Sequence, residues 1–251
     1  MHQTSTAADT VHDADAPPRG APEASLLPEA TRLFSLLNPP QDAETGLAVQ
    51  IIASRPGEGV STVARDFARV AASHFDKPTL LLDLDWAGDG QWRHFSQPAL
   101  VERLGPLSDP LDLGFDGSAL IRVATHDVRR AKASITFHQV GATPLLVSRF
   151  HTDSADRRQV PQVTSNQAIW KQLRDRVGFI VVDSPAASTS FDGVAISGVM
   201  DAVVIVIEAE TTRVPVIEDL RDKLMARGAN VVGAVFNKRR MYIPKVLYKR
   251  L

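Results

Sequence analysis

Apolar and polar positions alternate along this chain at two periods, and the switching between them sets out the elements. Near-continuous apolar runs cover Leu47 to Ala53, Thr79 to Asp85, Phe179 to Asp183, Ala202 to Glu208 and Asn230 to Phe236. Runs of this kind predict strands buried on both faces of a parallel sheet. Between them the period lengthens. Pro28 to Leu37 places Leu33, Phe34, Leu36 and Leu37 on a short helix that Pro39 and Pro40 end. A helix is expected from Ser61 to about His74, and another from Gln167 to Val177 with Ile169, Trp170, Leu173 and Val177 as its apolar face. Leu220 to Arg227 is a further helix, with Gly228 after it. Strands alternating with helices predict an α/β fold with a mostly parallel central sheet flanked by helices, built from right-handed βαβ units.

The middle of the chain is less regular. Trp86, Trp92 and Phe95 suit a loop or short helix, and Asp109-Pro110 and Gly114 to Gly117 mark turns. A helix is expected over Leu120 to Ala133, then strands over Ser134 to Val140 and Leu145 to Phe150. His151 to Gln162 reads as a surface loop.

One junction carries chemistry. The strand ending at Ala53 runs into Ser54-Arg55-Pro56-Gly57-Glu58-Gly59, and a helical pattern follows with Val60, Ser61 and Thr62. Strand, glycine-rich turn and helix form the context of a phosphate-binding loop, usually spelled G-x-x-x-x-G-K-S/T. Glycines at 57 and 59 permit the backbone turns that point successive N–H groups at an anion, and the helix dipole adds to the attraction. Ser61 matches the hydroxyl that reaches Mg²⁺. Val60 stands where the lysine belongs, so the ammonium that reaches the β/γ-phosphates is missing. By analogy with oxyanion-hole deletions, losing such a donor removes about 3–4 kcal/mol of transition-state stabilisation. Arg55, on the same loop, is a candidate substitute cation. A bare glycine-rich turn is the alternative for this stretch alone.

Two apolar strands end on carboxylates: Asp83-Leu84-Asp85 and Asp183-Ser184-Pro185. Strand ends of this kind face the ligand side of open α/β sheets. Together with the loop they predict one site with Ser61, Asp83 and Asp183 around Mg²⁺, and ATP or ADP on the loop.

The totals narrow the class. The 251 residues fit one large α/β domain, and 44% are hydrophobic. With 28 basic and 29 acidic residues, no nucleic-acid partner is expected. There is no cysteine, which excludes disulfides, thiolate metal sites and a cysteine nucleophile. No apolar run approaches a membrane span and no signal segment is evident, so a soluble, cytoplasmic protein is expected. Residues 1 to 24 read as a disordered acidic tail. Residues 238 to 251 form a basic tail, with Tyr242, Ile243, Val246, Leu247, Tyr248 and Leu251 adding apolar surface. Such a tail suits an anionic membrane surface, a juxtamembrane partner, or packing on the domain itself.

These motifs together resemble the bacterial tyrosine kinases of exopolysaccharide synthesis, which belong with the MinD/ParA-like deviant phosphate-loop ATPases. The resemblance covers about residues 28 to 238. It rests on the loop 54–62, Asp83 and Asp85, Asp183-Ser184-Pro185, Phe191 to Ala195, Asp201 to Val204, Thr211-Thr212-Arg213, and Gly233 to Lys238. It implies nucleotide contacts from Arg55, Pro56, Gly57, Glu58, Gly59, Val60, Ser61 and Thr62, and base contact from Asn237. It implies catalytic roles for Asp83 and Asp85 if the protein is active. It also implies an inner-membrane polysaccharide co-polymerase as partner, peripheral placement at that membrane, and self-association.

The departures are Val60 for lysine, Trp86, Ala87 and Gly88 where arginines usually follow the second motif, and only two tyrosines in the whole chain. Ser35 also replaces the second arginine of a Glu29-Arg32-type assembly motif. The departures favour a regulatory or scaffolding member with impaired catalysis. An active autokinase or ATPase and a MinD/ParA-like positioning ATPase remain the alternatives.

Overall fold

A computed structural model of the protein describes residues 26–39, 45–86, 88–123, 133–152 and 161–239. The expected acidic tail (1–24) and most of the basic tail (238–251) lie outside the described residues. The elements, in chain order, are α1 (Leu27–Leu37), β1 (Leu47–Ala53), α2 (Val60–Ala72), β2 (Thr79–Asp83), α3 (Gly90–Phe95), α4 (Pro98–Leu104), β3 (Ile121–Val123), β4 (Ala133–Gln139), β5 (Leu145–Thr152), β6 (Pro161–Val163), α5 (Gln167–Arg174), β7 (Phe179–Asp183), α6 (Asp192–Ile196), β8 (Ala202–Glu208), α7 (Val214–Met225) and β9 (Val231–Asn237).

Seven strands form one sheet in the order β4-β5-β2-β7-β1-β8-β9. All neighbours pair parallel except β4, which runs antiparallel to β5 at one edge. The central strands are apolar on both sides because helices cover both faces. On one face Phe34 of α1 and Val63 and Phe67 of α2 pack over Val49, Ile51 and Val181. On the other, Trp170 and Leu173 of α5 and Leu220 and Leu224 of α7 pack over Ile52, Val182 and Ile205. The α1 helix is tied down by an aromatic cluster: the Phe34 ring lies 6.1 Å from Phe67 and 6.0 Å from Phe179. Its first turn has no cap of its own. The buried Asp66 carboxylate, on α2, accepts the Leu26 N–H at 2.7 Å, which places negative charge at the positive end of α1.

Four sequence expectations change. Leu120 to Ala133 does not begin as a helix. Gly117–Leu120 is a 3₁₀ turn started by Asp116, whose side chain accepts the Ser118 N–H, and Ile121–Val123 is a strand. Part of the expected surface loop, Pro161–Val163, is a strand that pairs antiparallel with β3. Pro161 is tolerated as the first residue of a strand in a two-stranded ribbon. The helix expected from Leu220 starts earlier, at Val214, with a proline in its first turn. The strand expected to reach Asp85 ends at Asp83, and Asp85 begins an exposed turn.

Candidate functional site

The phosphate loop connects the central β1 to α2, as the sequence predicts. Gly57 (φ +85°) and Gly59 (φ +100°) both take the left-handed conformation that favours glycine. The loop is held from three sides. Ser54, buried at the first glycine position, donates its hydroxyl to the Val216 carbonyl of α7 at 3.3 Å. Glu58 is buried within the loop, where its carboxylate accepts the Arg55 N–H at 2.9 Å and the Thr212 hydroxyl. Asn237, the last residue of β9, donates its side-chain amide to the Glu58 carbonyl at 2.9 Å. That amide fills the space a side chain on Gly59 would need.

Arg55, Pro56, Gly57 and Ser61 are exposed and Thr62 is half-buried, so the loop's outer surface is open to solvent. Val60 behaves differently. Its side chain is buried in the core shared by α1 and α2.

The two acid motifs converge because β2 and β7 are sheet neighbours. Asp83 and Asp183 are register partners at the ends of these parallel strands. Both are buried, and their carboxyls are pushed far above the usual range. Asp83 rises to about 7, through burial first and then the Asp183 charge; Asp183 rises to about 6 through burial. The Ser61 hydroxyl bonds Asp183, and the Arg65 guanidinium beside it acts in the opposite direction, favouring its charged form. Ser61, Asp83 and Asp183 are therefore brought together. Asp85 is not: its backbone N–H donates to Asp83 Oδ1 at 2.9 Å while the residue itself stays exposed.

Three contributors were not singled out from sequence as site residues. Gln91, on α3, is fully buried at the centre of the acid cluster. Arg65 lies one helical turn beyond Ser61, on the same face of α2, a spacing that could have flagged it. Thr212 belongs to a stretch that carried the resemblance but had no assigned role. No sequence signal marks Gln91, a neutral amide in the least regular part of the chain.

The oxygens of Ser61, Asp83 and Asp183 are the hard donors that Mg²⁺ takes. Brought together beside the loop, these three would be the residues to hold the ion. The Gln91 side-chain N–H₂ donates to Asp183 Oδ2 at 2.7 Å and to the Ser61 main-chain carbonyl, not its hydroxyl, at 3.0 Å. Among the described residues, no group of three or more His, Cys, Asp or Glu side chains could hold a metal ion. No helix there is long and apolar enough to cross a membrane.

No protein-family model matches the chain, and no curated protein sequence matches it. Solved structures do. The kinase domain of VpsO is 22% identical with a TM-score of 0.50, over 84% of this chain and 92% of that one. The chimerical protein CapA2B2 is 18% identical with a TM-score of 0.52, over 87% of each chain. The kinase domain of the Escherichia coli tyrosine kinase ETK is 17% identical with a TM-score of 0.53, over 86% of this chain and 78% of that one. With its seven-stranded, mostly parallel sheet and its phosphate loop between β1 and α2, the chain has the P-loop fold of the bacterial tyrosine kinase domains.

Proposed function

We propose that this chain is a kinase-like regulatory or scaffolding component of exopolysaccharide synthesis and export. It acts by holding ATP or ADP on the loop backbone and by binding an inner-membrane polysaccharide co-polymerase, not by phosphorylating itself. The observation that carries this reading is Val60. The residue at the lysine position is aliphatic and buried in the core, while the turn-forming Gly57 and Gly59 and the serine after it are retained. A cradle of main-chain N–H groups binds phosphate without a lysine. Transfer of the γ-phosphoryl group needs the missing charge far more than binding does.

The test is autophosphorylation of the purified chain with ATP and Mg²⁺. Negligible phosphotyrosine is expected. Robust incorporation at Tyr242 or Tyr248 would overturn the proposal.

The second reading, an active ATPase, draws on Arg55, which is exposed on the same loop. On that reading Arg55→Ala abolishes turnover; on ours there is no turnover to abolish.

A further inference from the structure

The strand β9, Val-Val-Gly-Ala-Val-Phe-Asn, holds no charged residue and no proline, a composition that suits the middle of a sheet. It lies at the edge instead, and among the described residues β8 is its one neighbour in the sheet. The Asn237 carbonyl accepts the Ala209 N–H at 2.9 Å, so Asn237 and Val235 turn their main-chain groups toward β8. Those of Ala234 and Phe236 therefore point out of the sheet. The side chains are bare as well: Phe236 is 67% exposed and Val232 43%. The opposite edge differs. Ser108 and Leu111 donate their N–H groups to the Gln139 and Phe137 carbonyls of β4 at 3.0 and 2.8 Å, so the chain itself covers that edge.

An apolar groove runs beside the open edge. It is lined by Ala30 and Leu33 of α1 and by Val235 and Phe236 of β9, with the exposed Glu29 as its acidic member. Groove and edge both end at Asn237. The next residue, Lys238, takes a left-handed φ of +56° that bends the chain out of the strand, and its Nζ lies 3.5 Å from Glu208 of β8. Residues 240–251 lie outside the described residues and continue from that point. Their sequence carries what β9 lacks. Arg240, Lys245, Lys249, Arg250 and Pro244 are the residue types that keep an edge strand from pairing further. Tyr242, Ile243, Val246 and Leu247 stand between them, and no residue of the segment is acidic. Extended, such a segment reaches about 40 Å, while β9 spans about 23 Å. It can follow the whole edge from its anchor at Lys238, and its positive charge is opposite to that of Glu29.

We propose that residues 240–251 of the same chain lie along the outer edge of β9 and set their apolar side chains on Phe236 and the α1 groove. A segment tethered next to the edge meets it at a high effective concentration, an advantage that a second copy or a separate partner lacks. The segment is then part of the domain and not its membrane contact. This inference does not depend on the function proposed above.

Hydrogen exchange of single amides, followed by nuclear magnetic resonance on the full chain, reads the edge. The Ala234 and Phe236 amides should exchange about a hundredfold or more slower than in an unstructured chain, at a rate independent of protein concentration. A chain ending at Arg239 should lose that protection, while Val235 and Asn237, bonded to β8, keep theirs and report that the domain is folded. Ile243→Asp combined with Val246→Asp in the full chain should have the same effect and serves if the shortened chain does not fold. Unprotected Ala234 and Phe236 in the wild-type protein would overturn the proposal, as would equal protection in the folded shortened chain. Protection that grows with protein concentration would give the edge to a second copy. Protection present only with vesicles containing anionic lipid would give it to a membrane surface. Either of these also overturns the proposal, and the wild-type arm needs no variant.

Discussion

Asp83 and Asp183 stand side by side on adjacent parallel strands, register partners whose carboxyls are both buried. Two carboxylates placed this way repel each other and lose their hydration, so each resists ionising. The hydrogen bonds from Gln91, Ser61 and the Asp85 backbone oppose that tendency without cancelling it.

A pH dependence follows from this pair. Asp83 moves from 3.8 to about 7 and Asp183 from 3.8 to about 6 on folding. The native state thus binds more protons than the unfolded chain in the interval between. Stability from these groups is complete below about pH 4 and is lost as pH rises through 6 to 7. Asp83→Asn removes one of the two titrations. The melting temperature of this variant, minus that of wild type, should therefore increase from pH 5 to pH 8, by an amount on the order of 2 kcal/mol in unfolding free energy. A difference that stays flat across that range would rule out a buried, protonatable Asp83.

The link between the loop and the last strand is testable by a double-mutant cycle. Gly59→Ala meets two obstacles, a left-handed φ and the Asn237 amide. It should destabilise the protein by roughly 2 kcal/mol or more. Asn237→Ala should lose about 1 kcal/mol through its bond to the Glu58 carbonyl. Because Asn237 is itself half of the obstacle, the double variant should fall well short of the sum. Urea denaturation measures all three, and strict additivity would mean the two residues do not meet.

Val60→Lys restores the lysine of the loop. The long aliphatic stem can follow the path of the valine while the ammonium reaches out of the core. ADP affinity should rise at least tenfold by calorimetry, with about 1 kcal/mol lost in stability. Unchanged affinity would mean that the loop is limited by something other than the missing charge.

The sequence carried the central strands well because their signal is local. β1, β7 and β8 are apolar runs, interrupted only by Gln50 in β1 and closed by turn residues or carboxylates, and their observed limits match those read from the pattern. It carried β6 poorly. Three residues beginning with a proline have no periodicity, and that strand exists because Ile121 to Val123 lies beside it. The five-residue α6 is too short for a helical repeat to show. At the site, Ser61, Asp83 and Asp183 were legible as strand-end and loop positions. Gln91 was not, because nothing about a glutamine in an irregular segment marks it as buried.

By itself the sequence determined the order of the central parallel strands, the position of the phosphate loop between the first strand and its helix, and the loss of the lysine. Each is a statement about residues close together in the chain. Only the tertiary structure decided that β2 and β7 would be neighbours, which sets Asp83 against Asp183 and brings Gln91 into hydrogen bonds with both and with the Ser61 main chain. It also decided that Val60 would face the core and that Asn237 would rest on Gly59. The physical reason is that hydrophobic periodicity is written by near neighbours. The convergence of residues 61, 65, 83, 91 and 183 depends on how separate crossovers stack helices on one sheet and on the hydrogen bonds their buried polar groups must then find.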